Sequence, residues 1–132
     1  MSFPGLVRTV EALLAALVVP GPRAAVAIAQ MVDVAAFGAP FGPGQVHRDE
    51  PTRDPSTYWR GGTWPQLAYL CWVAARRRGA SDHACELGRA LVACAHESGH
   101  AEYWDPDSGQ GRGAIPQSWT GLAAVVVSAT TA

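Results

Sequence analysis

The sequence contains no lysine; all ten of its basic residues are arginines. Codon bias is enough to account for this, and no function is attached to it. Charge of either sign is sparse, at 16% of residues, and eleven acids leave a net charge of −1. No field favouring nucleic acid or an anionic membrane follows from that balance. No apolar run is long enough to span a bilayer. Met1-Ser2-Phe3-Pro4-Gly5-Leu6 carries no basic segment, and Glu11 interrupts the apolar stretch after it. The expectation is therefore no signal peptide and a cytoplasmic location. Cysteine is scarce too. Cys71, Cys85 and Cys94 form no C-x-x-C pair, and their odd number argues against a disulfide framework. Each falls in an apolar helical pattern, which predicts three small core residues. Period-two alternation is absent, and so is any internal repeat.

What is present describes a helical domain. The 132 residues allow one domain, and 48% apolar content can bury a core. Leu6, Val10, Leu13, Leu14 and Leu17 recur at helical spacing, and Pro20-Gly21-Pro22 ends that segment. A second helix is predicted near 23–36, carrying Val26, Ala29, Met31 and Val32. Residues 37–63 read as a loop, with prolines at 40, 43, 51 and 55 and glycines at 38, 42 and 44. A third helix starts near Trp64-Pro65, carries Leu67, Leu70, Cys71 and Ala74, and closes on Arg76, Arg77 and Arg78, where cations suit the helix dipole. Gly79 fits the position just past its end. Ser81 is the predicted cap of a fourth helix reaching about Ser98. A second long loop covers 99–117. Ser118 then caps a fifth helix, with Leu122, Val125 and Val126 on one face.

The connections alternate short, long, short, long. Short links make neighbouring helices antiparallel, so both long loops should emerge at one end of the bundle. Loops beyond about 12–15 residues are uncommon unless functional or disordered. Two of them at one end, rich in Trp, Tyr and Gly, predict a built site.

Residues 96–106, HESGHAEYWDP, offer two chemistries. His96-Glu97-Ser98-Gly99-His100 matches H-E-x-x-H, in which two histidines on one helical face hold zinc and the glutamate activates water. A third ligand is required. The longer form of the motif would need Gly at 103 and His at 106, where Tyr103 and Pro106 stand. Gly99 also reads as a helix end, which would swing His100 off the face. A polar helix terminus is the better reading, and no metal is expected. His47 and His83 lack a partner at ligand spacing and are predicted to be surface or loop residues.

The other half of the stretch sets Glu102 among aromatics. The first long loop ends Tyr58-Trp59-Arg60-Gly61-Gly62-Thr63-Trp64-Pro65. The second holds Glu102-Tyr103-Trp104-Asp105-Pro106-Asp107 and then Gly113-Ala114-Ile115-Pro116-Gln117-Ser118-Trp119. Aromatic faces stack on the C–H faces of sugars, while Arg, Gln and carboxylates bind hydroxyls. The set suits carbohydrate. Trp72, mid-helix, is predicted to be core; Trp59, Trp64 and Trp119, on glycine-rich segments, are predicted to line a site. Asp105 and Asp107 are read as turn formers.

These three ordered motifs resemble the C-terminal part of glycoside hydrolases with an (α/α)6 barrel, nearest the mannosylglycerate and glucosylglycerate hydrolases, which are akin to family 63 α-glucosidases. The resemblance is clearest from Tyr58 to Ala124. It implies an all-α fold of about five helices in antiparallel pairs, the C-terminal portion of a twelve-helix barrel. It further implies an inverting mechanism at an α-linked sugar, without a cofactor. Glu102 matches the family's catalytic base. Tyr58, Trp59, Arg60, Gly61 and Trp64 match an aromatic motif lining the sugar pocket, and Gln117 and Trp119 match a last motif expected to touch substrate. The family's usual R-G-P-V-W-P reads Arg60-Gly61-Gly62-Thr63-Trp64-Pro65 here, which loosens the loop but keeps its aromatic end. The general acid, an upstream aspartate in that family, has no counterpart in this chain. The implied partners are a carbohydrate substrate and the missing N-terminal part of the barrel. A non-catalytic carbohydrate-binding protein and a zinc metallohydrolase are the competing readings.

Overall fold

The computed structural model describes residues 6–131. A 3-10 helix, Val10–Leu17, is followed by helices α1 (Pro22–Val32), α2 (Pro65–Arg77) and α3 (Ser81–Glu97). Two short strands, β1 (Tyr103–Trp104) and β2 (Gly111–Arg112), precede a second 3-10 helix, Ser118–Gly121, and the last helix, α4 (Leu122–Thr131). Helices α2 and α3, joined by residues 78–80, form the central antiparallel pair, with the first 3-10 helix and α1 on one side and α4 on the other. Proline opens both α1 and α2, where its missing N–H costs nothing and its fixed φ suits the first turn. Gly79, at φ +72°, turns the chain out of α2.

The all-α expectation holds, with differences at the ends. The first segment is a 3-10 helix starting at Val10, not a longer helix from Leu6, whose side chain is exposed. The second helix stops at Val32 rather than near 36, because the Asp33 side chain takes the Ala35 N–H into a turn. Its inward face is Ala24, Ile28 and Met31, while Val26 points outward. The fifth helix buries Ala123 and Val126 and leaves Val125 exposed. Ala80, not Ser81, stands at the start of α3, and Gln117, not Ser118, caps the second 3-10 helix by accepting the Ser118 N–H.

The core is formed by Val10, Ile28, Met31, Cys71, Trp72, Leu87, Leu91, Cys94 and Trp104. Trp72 is buried as predicted, with the Arg76 guanidinium 4.9 Å from its ring centre. Cys71 and Cys94 are buried, and Cys85 corrects the expectation by lying on the exposed side of α3. The arginine run does more than face the α2 dipole. Arg78 Nε and Nη2 donate to the carbonyls of Ala16 and Leu17, and Arg77 Nη1 also donates to Leu17. These bonds satisfy the orphan carbonyls at the end of the first 3-10 helix.

The first long loop is not a solvated strap. Its residues Ala36–Gly38 and 42–47 are buried, and its backbone pairs with other segments: Gly44 N to Phe37 O, Gln45 N to Gly62 O, and Arg48 N to Ala36 O. His47 is therefore buried, edge-on to Phe37 at 5.2 Å, instead of lying at the surface.

Candidate active site

Both long loops meet at one end of the bundle. Thr63 and Trp104 exchange backbone hydrogen bonds, Thr63 N to Trp104 O at 2.8 Å and Trp104 N to Thr63 O at 3.1 Å. Trp104, fully buried, donates its indole N–H to Phe41 O at 2.7 Å, so the acid-bearing segment is also pinned to the first half of the first loop. The hairpin of β1 and β2 went unpredicted because each strand has two residues, too few for alternation to register. Its turn is built by Asp105, whose Oδ1 accepts the N–H groups of Asp107 and Ser108, both at 2.9 Å. The turn role read for Asp105 is what the chain shows. Asp107 has a different use: its carboxylate pairs with Arg48 at 2.6 Å and with Arg53 at 3.5 Å.

Glu102 stands immediately before β1, half-buried. Its backbone N–H donates to Ala114 O at 2.8 Å, and its carbonyl accepts the Trp119 indole N–H at 3.0 Å. Its carboxylate is held at both oxygens: Tyr58 donates its hydroxyl to Oε1 at 2.6 Å, and Ala114 N donates to Oε2 at 2.9 Å. The Tyr58 bond, then the Ala114 N–H, hold the carboxyl below the usual glutamate range, because both donors favour the charged form. The same bond raises the Tyr58 phenol above its ordinary value. Gly113 makes the geometry possible. A Cβ there would run into Glu102 Oε2, and its φ of +72° suits glycine.

Around this acid the aromatic rings form a stack. Trp64 lies between Trp59, at 3.8 Å and 8°, and Tyr103, at 4.6 Å and 14°. Tyr58 meets Trp64 edge-on at 5.0 Å and Tyr103 at 5.5 Å, and Trp119 approaches Trp64 at 6.1 Å. Trp64 is buried inside the stack with its indole N–H unpartnered; Tyr58 and Trp59 are exposed at the surface of the site. Tyr103 joins the cluster although only its neighbour Glu102 was singled out from sequence. The signal available was its place in the Tyr-Trp pair after the acid.

Of the residues predicted for the site, Tyr58, Trp59, Trp64, Glu102 and Trp119 are thus together. Gly61, at φ +132°, shapes the turn before Trp64. Arg60 is exposed and donates its backbone N–H to Thr57 O, with no ion pair among the described residues. Gln117 uses its side-chain oxygen to cap Ser118, at 2.7 Å, so in this structure it serves the helix start.

The H-E-x-x-H stretch is a helix end. His96 and Glu97 occupy the last turn of α3, and Gly99 and His100 adopt φ values of +68° and +60°, which turn His100 out of the helix. Among the described residues no three His, Cys, Asp or Glu side chains converge on one point. No described helix is long and apolar enough to cross a membrane.

The chain is 40% identical over 63 residues to a mannosylglycerate hydrolase of Rubrobacter radiotolerans, a stretch covering 48% of this chain and 14% of that protein. It is 38% identical over 69 residues to a glucosylglycerate hydrolase of Mycolicibacterium hassiacum, covering 52% of this chain and 16% of the relative. Among solved structures, the glycoside hydrolase family 63 mannosylglycerate hydrolase of Thermus thermophilus in complex with glucose superposes with a TM-score of 0.81 at 28% identity, over 92% of this chain and 31% of that one. An uncharacterised conserved Thermus thermophilus protein superposes at 0.83 and 27% identity, over 96% of this chain and 33% of its own. The helices are thus a portion of an (α/α)6 barrel, and the chain spans about a third of the solved relatives. The family model for the mannosylglycerate hydrolase MGH1-like glycoside hydrolase domain matches residues 6–120, and this chain belongs to that family.

Proposed function

We propose that this chain carries the base-bearing part of an inverting α-glycoside hydrolase, with Glu102 as the general base. The observation that supports it most is the Glu102 carboxylate beside a tryptophan stack, held ionised by Tyr58 and Ala114. An inverting hydrolase needs two carboxyl groups roughly 6.5–9.5 Å apart: one protonates the leaving oxygen, and the other takes a proton from the attacking water. A carboxyl held below its normal range is ionised near neutral pH, the state the second task requires and the first excludes. The water would lie on Glu102 and the Tyr58 oxygen, give its proton to Glu102 and bond to the anomeric carbon as that carbon's bond to the protonated leaving oxygen breaks. The exposed Trp59 face would carry the sugar ring. Asp105 and Asp107 are committed to turn and arginine, and neither is proposed as the acid, which the family resemblance places on an upstream aspartate. The substrate class is an α-linked glucosyl or mannosyl glycerate, by analogy with the named relatives.

The open groove of about 740 Å³ along α2, α3 and α4, walled by Trp72, Val92, Val126 and Val127, is read as the seat of the remaining barrel helices. A chimera tests both points: residues 6–131 replace the matching third of the Thermus mannosylglycerate hydrolase. Hydrolysis of α-mannosylglycerate or α-glucosylglycerate is expected, and Glu102→Gln should lower it by roughly 10²–10⁴-fold. Full activity in Glu102→Gln overturns the base assignment. The second reading, a carbohydrate-binding protein without catalysis, draws on the same exposed Trp59 face. Sugar binding by the chain alone that is lost in Trp59→Ala and untouched by Glu102→Gln would favour it.

A further inference from the structure

We propose that Arg53 and Asp107 are positioning residues of this site: their ion pair latches the exposed segment 51–60, and so sets the Tyr58 phenol on the Glu102 carboxylate. The functional weight of the inference rests on the reading of Glu102 as base. The structural claim does not.

Every residue from 51 to 60 is exposed or half-buried. The backbone hydrogen bonds of this segment are local: Arg53 N to Glu50 O, Thr57 N to Asp54 O, Arg60 N to Thr57 O, and Asp54 N to Arg60 O. Asp54 accepts from Ser56 and Thr57, also within the segment. The backbone of the segment is therefore closed on itself, and its hold on the body comes from side chains: the stack of Trp59 on Trp64, the edge contacts of Tyr58 with Trp64 and Tyr103, and polar links. Among the described residues its side chains make two polar links to the rest of the molecule. One is Tyr58 to Glu102. The other is Arg53 to Asp107.

The Asp107 end of the second link is fixed independently. Arg48 donates to both Asp107 oxygens, at 2.6 and 3.3 Å, and also to Gly38 O at 3.1 Å. A two-pronged guanidinium–carboxylate pair holds direction as well as distance. Asp107 is thus an anchor on the hairpin turn, already docked through Phe41 N to Pro106 O. The Arg53 end reaches the aromatic turn directly. Its Cγ would lie 3.1 Å from a Cβ at Gly61, so the stem packs on the backbone two residues beyond Trp59. With Asp107 half open to water and the contact at 3.5 Å, the pair adds little to global stability. Its effect is local, because it is one of two polar tethers on a loop that carries Tyr58.

The test uses the full chain and no substrate. The chain has three tyrosines, Tyr58, Tyr69 and Tyr103, so ¹³Cζ-labelled tyrosine gives three resonances, with Tyr58 assigned by Tyr58→Phe. In the native chain the Tyr58 resonance should titrate above the ordinary phenol value of about 10. In Arg53→Met, which keeps the stem, and in Asp107→Asn it should fall back toward about 10. Arg53→Lys should restore the native titration. Should either variant melt early, the Glu102 side-chain carboxyl signal read in the cold serves instead, rising toward about 4.3. A Tyr58 and Glu102 titration unchanged in both Arg53→Met and Asp107→Asn overturns the proposal. Since no glycoside is present, that failure leaves the base assignment standing, and an inactive chimera leaves the latch standing.

Discussion

Tyr58 donates its hydroxyl to Glu102 Oε1 at 2.6 Å, across 44 positions of sequence, and this bond joins the two long loops at the candidate site. It acts on both partners: the carboxyl titrates lower and the phenol higher than either would in water. Tyr58→Phe keeps the ring and its edge contacts and removes one donor. The Glu102 carboxyl is then expected to rise toward about 4.3 without regaining it fully, because Ala114 N still donates. The sign follows from linkage. A carboxyl depressed in the folded state adds stability above its unfolded value, and that stability is lost as pH falls through the folded value. Tyr58→Phe should therefore flatten the acid side of the stability profile, and in an active chimera move the acid limb of the rate profile upward. Carboxyl ¹³C titration checks the first, pH–rate curves the second. A Glu102 titration identical in both chains would mean the bond is absent in solution.

Gly113→Ala strains the same site from the opposite strand. The residue sits at φ +72°, and the new methyl would meet Glu102 Oε2, Cβ and Cδ. The left-handed backbone alone costs about 1–2 kcal/mol for a residue with a side chain. The carboxylate must also swing away, which breaks the Ala114 N–H bond. We expect a lowered melting temperature together with a Glu102 titration shifted upward. A variant as stable as the parent, with the same titration, would show that β2 is free to move.

The convergence of the two loops was legible because short and long connections alternate, and alternation in an antiparallel bundle places like loops at like ends. Trp72 was legible as core from its helical spacing. Trp64 was only half legible. Its glycine-rich neighbourhood marks a loop, but burial came from Trp59 and Tyr103 closing on its two faces, a pairing no local pattern encodes. The buried path of residues 42–47 was hidden for a related reason. Composition reports turn residues, whereas burial depends on which other segments supply hydrogen bonds, here those of Gly62 and Val10. The Arg48–Asp107 and Tyr58–Glu102 links join distant irregular segments, where no periodicity exists to read.

The cysteines separate by burial. Desolvation pushes the Cys71 and Cys94 thiols up to about 12, since their charged forms lack water, while Cys85 is exposed on α3. Native protein treated with an aromatic disulfide reagent at pH 8 should therefore release one thiol equivalent rapidly, and Cys85→Ser should abolish that phase. Denaturant should release the others. Rapid reaction of all three thiols in native protein would mean that the packing of α2 and α3 opens readily.

His100 lies outside the α3 helix, so a metal held by His96 and His100 has no geometric basis. Chelator treatment of the purified chain is expected to leave its melting temperature unchanged. His100→Ala should stay within about 0.5 kcal/mol of the parent, as for an ordinary surface substitution. Stoichiometric zinc retained through purification, with destabilisation on its removal, would reverse that conclusion.

Trp104→Phe tests how firmly the acid-bearing hairpin is held. Trp104 is fully buried and its indole N–H satisfies the Phe41 carbonyl at 2.7 Å. Phenylalanine keeps most of the apolar contact but leaves that carbonyl unpaired, at about 1–3 kcal/mol, and leaves a partial void that adds to the loss. Trp119→Phe removes a similar bond, to the Glu102 carbonyl at 3.0 Å, from a half-buried position where water can replace it. Urea unfolding should therefore show a larger drop in midpoint for Trp104→Phe than for Trp119→Phe, at unchanged slope. The two differ in another way. Trp119 touches the Glu102 backbone directly, so its loss should perturb the Glu102 titration more than its small stability cost suggests. If instead Trp119→Phe proved the more destabilising, the end of the bundle would be held by the second 3-10 helix, and the Thr63–Trp104 pairing would be a consequence of that anchoring.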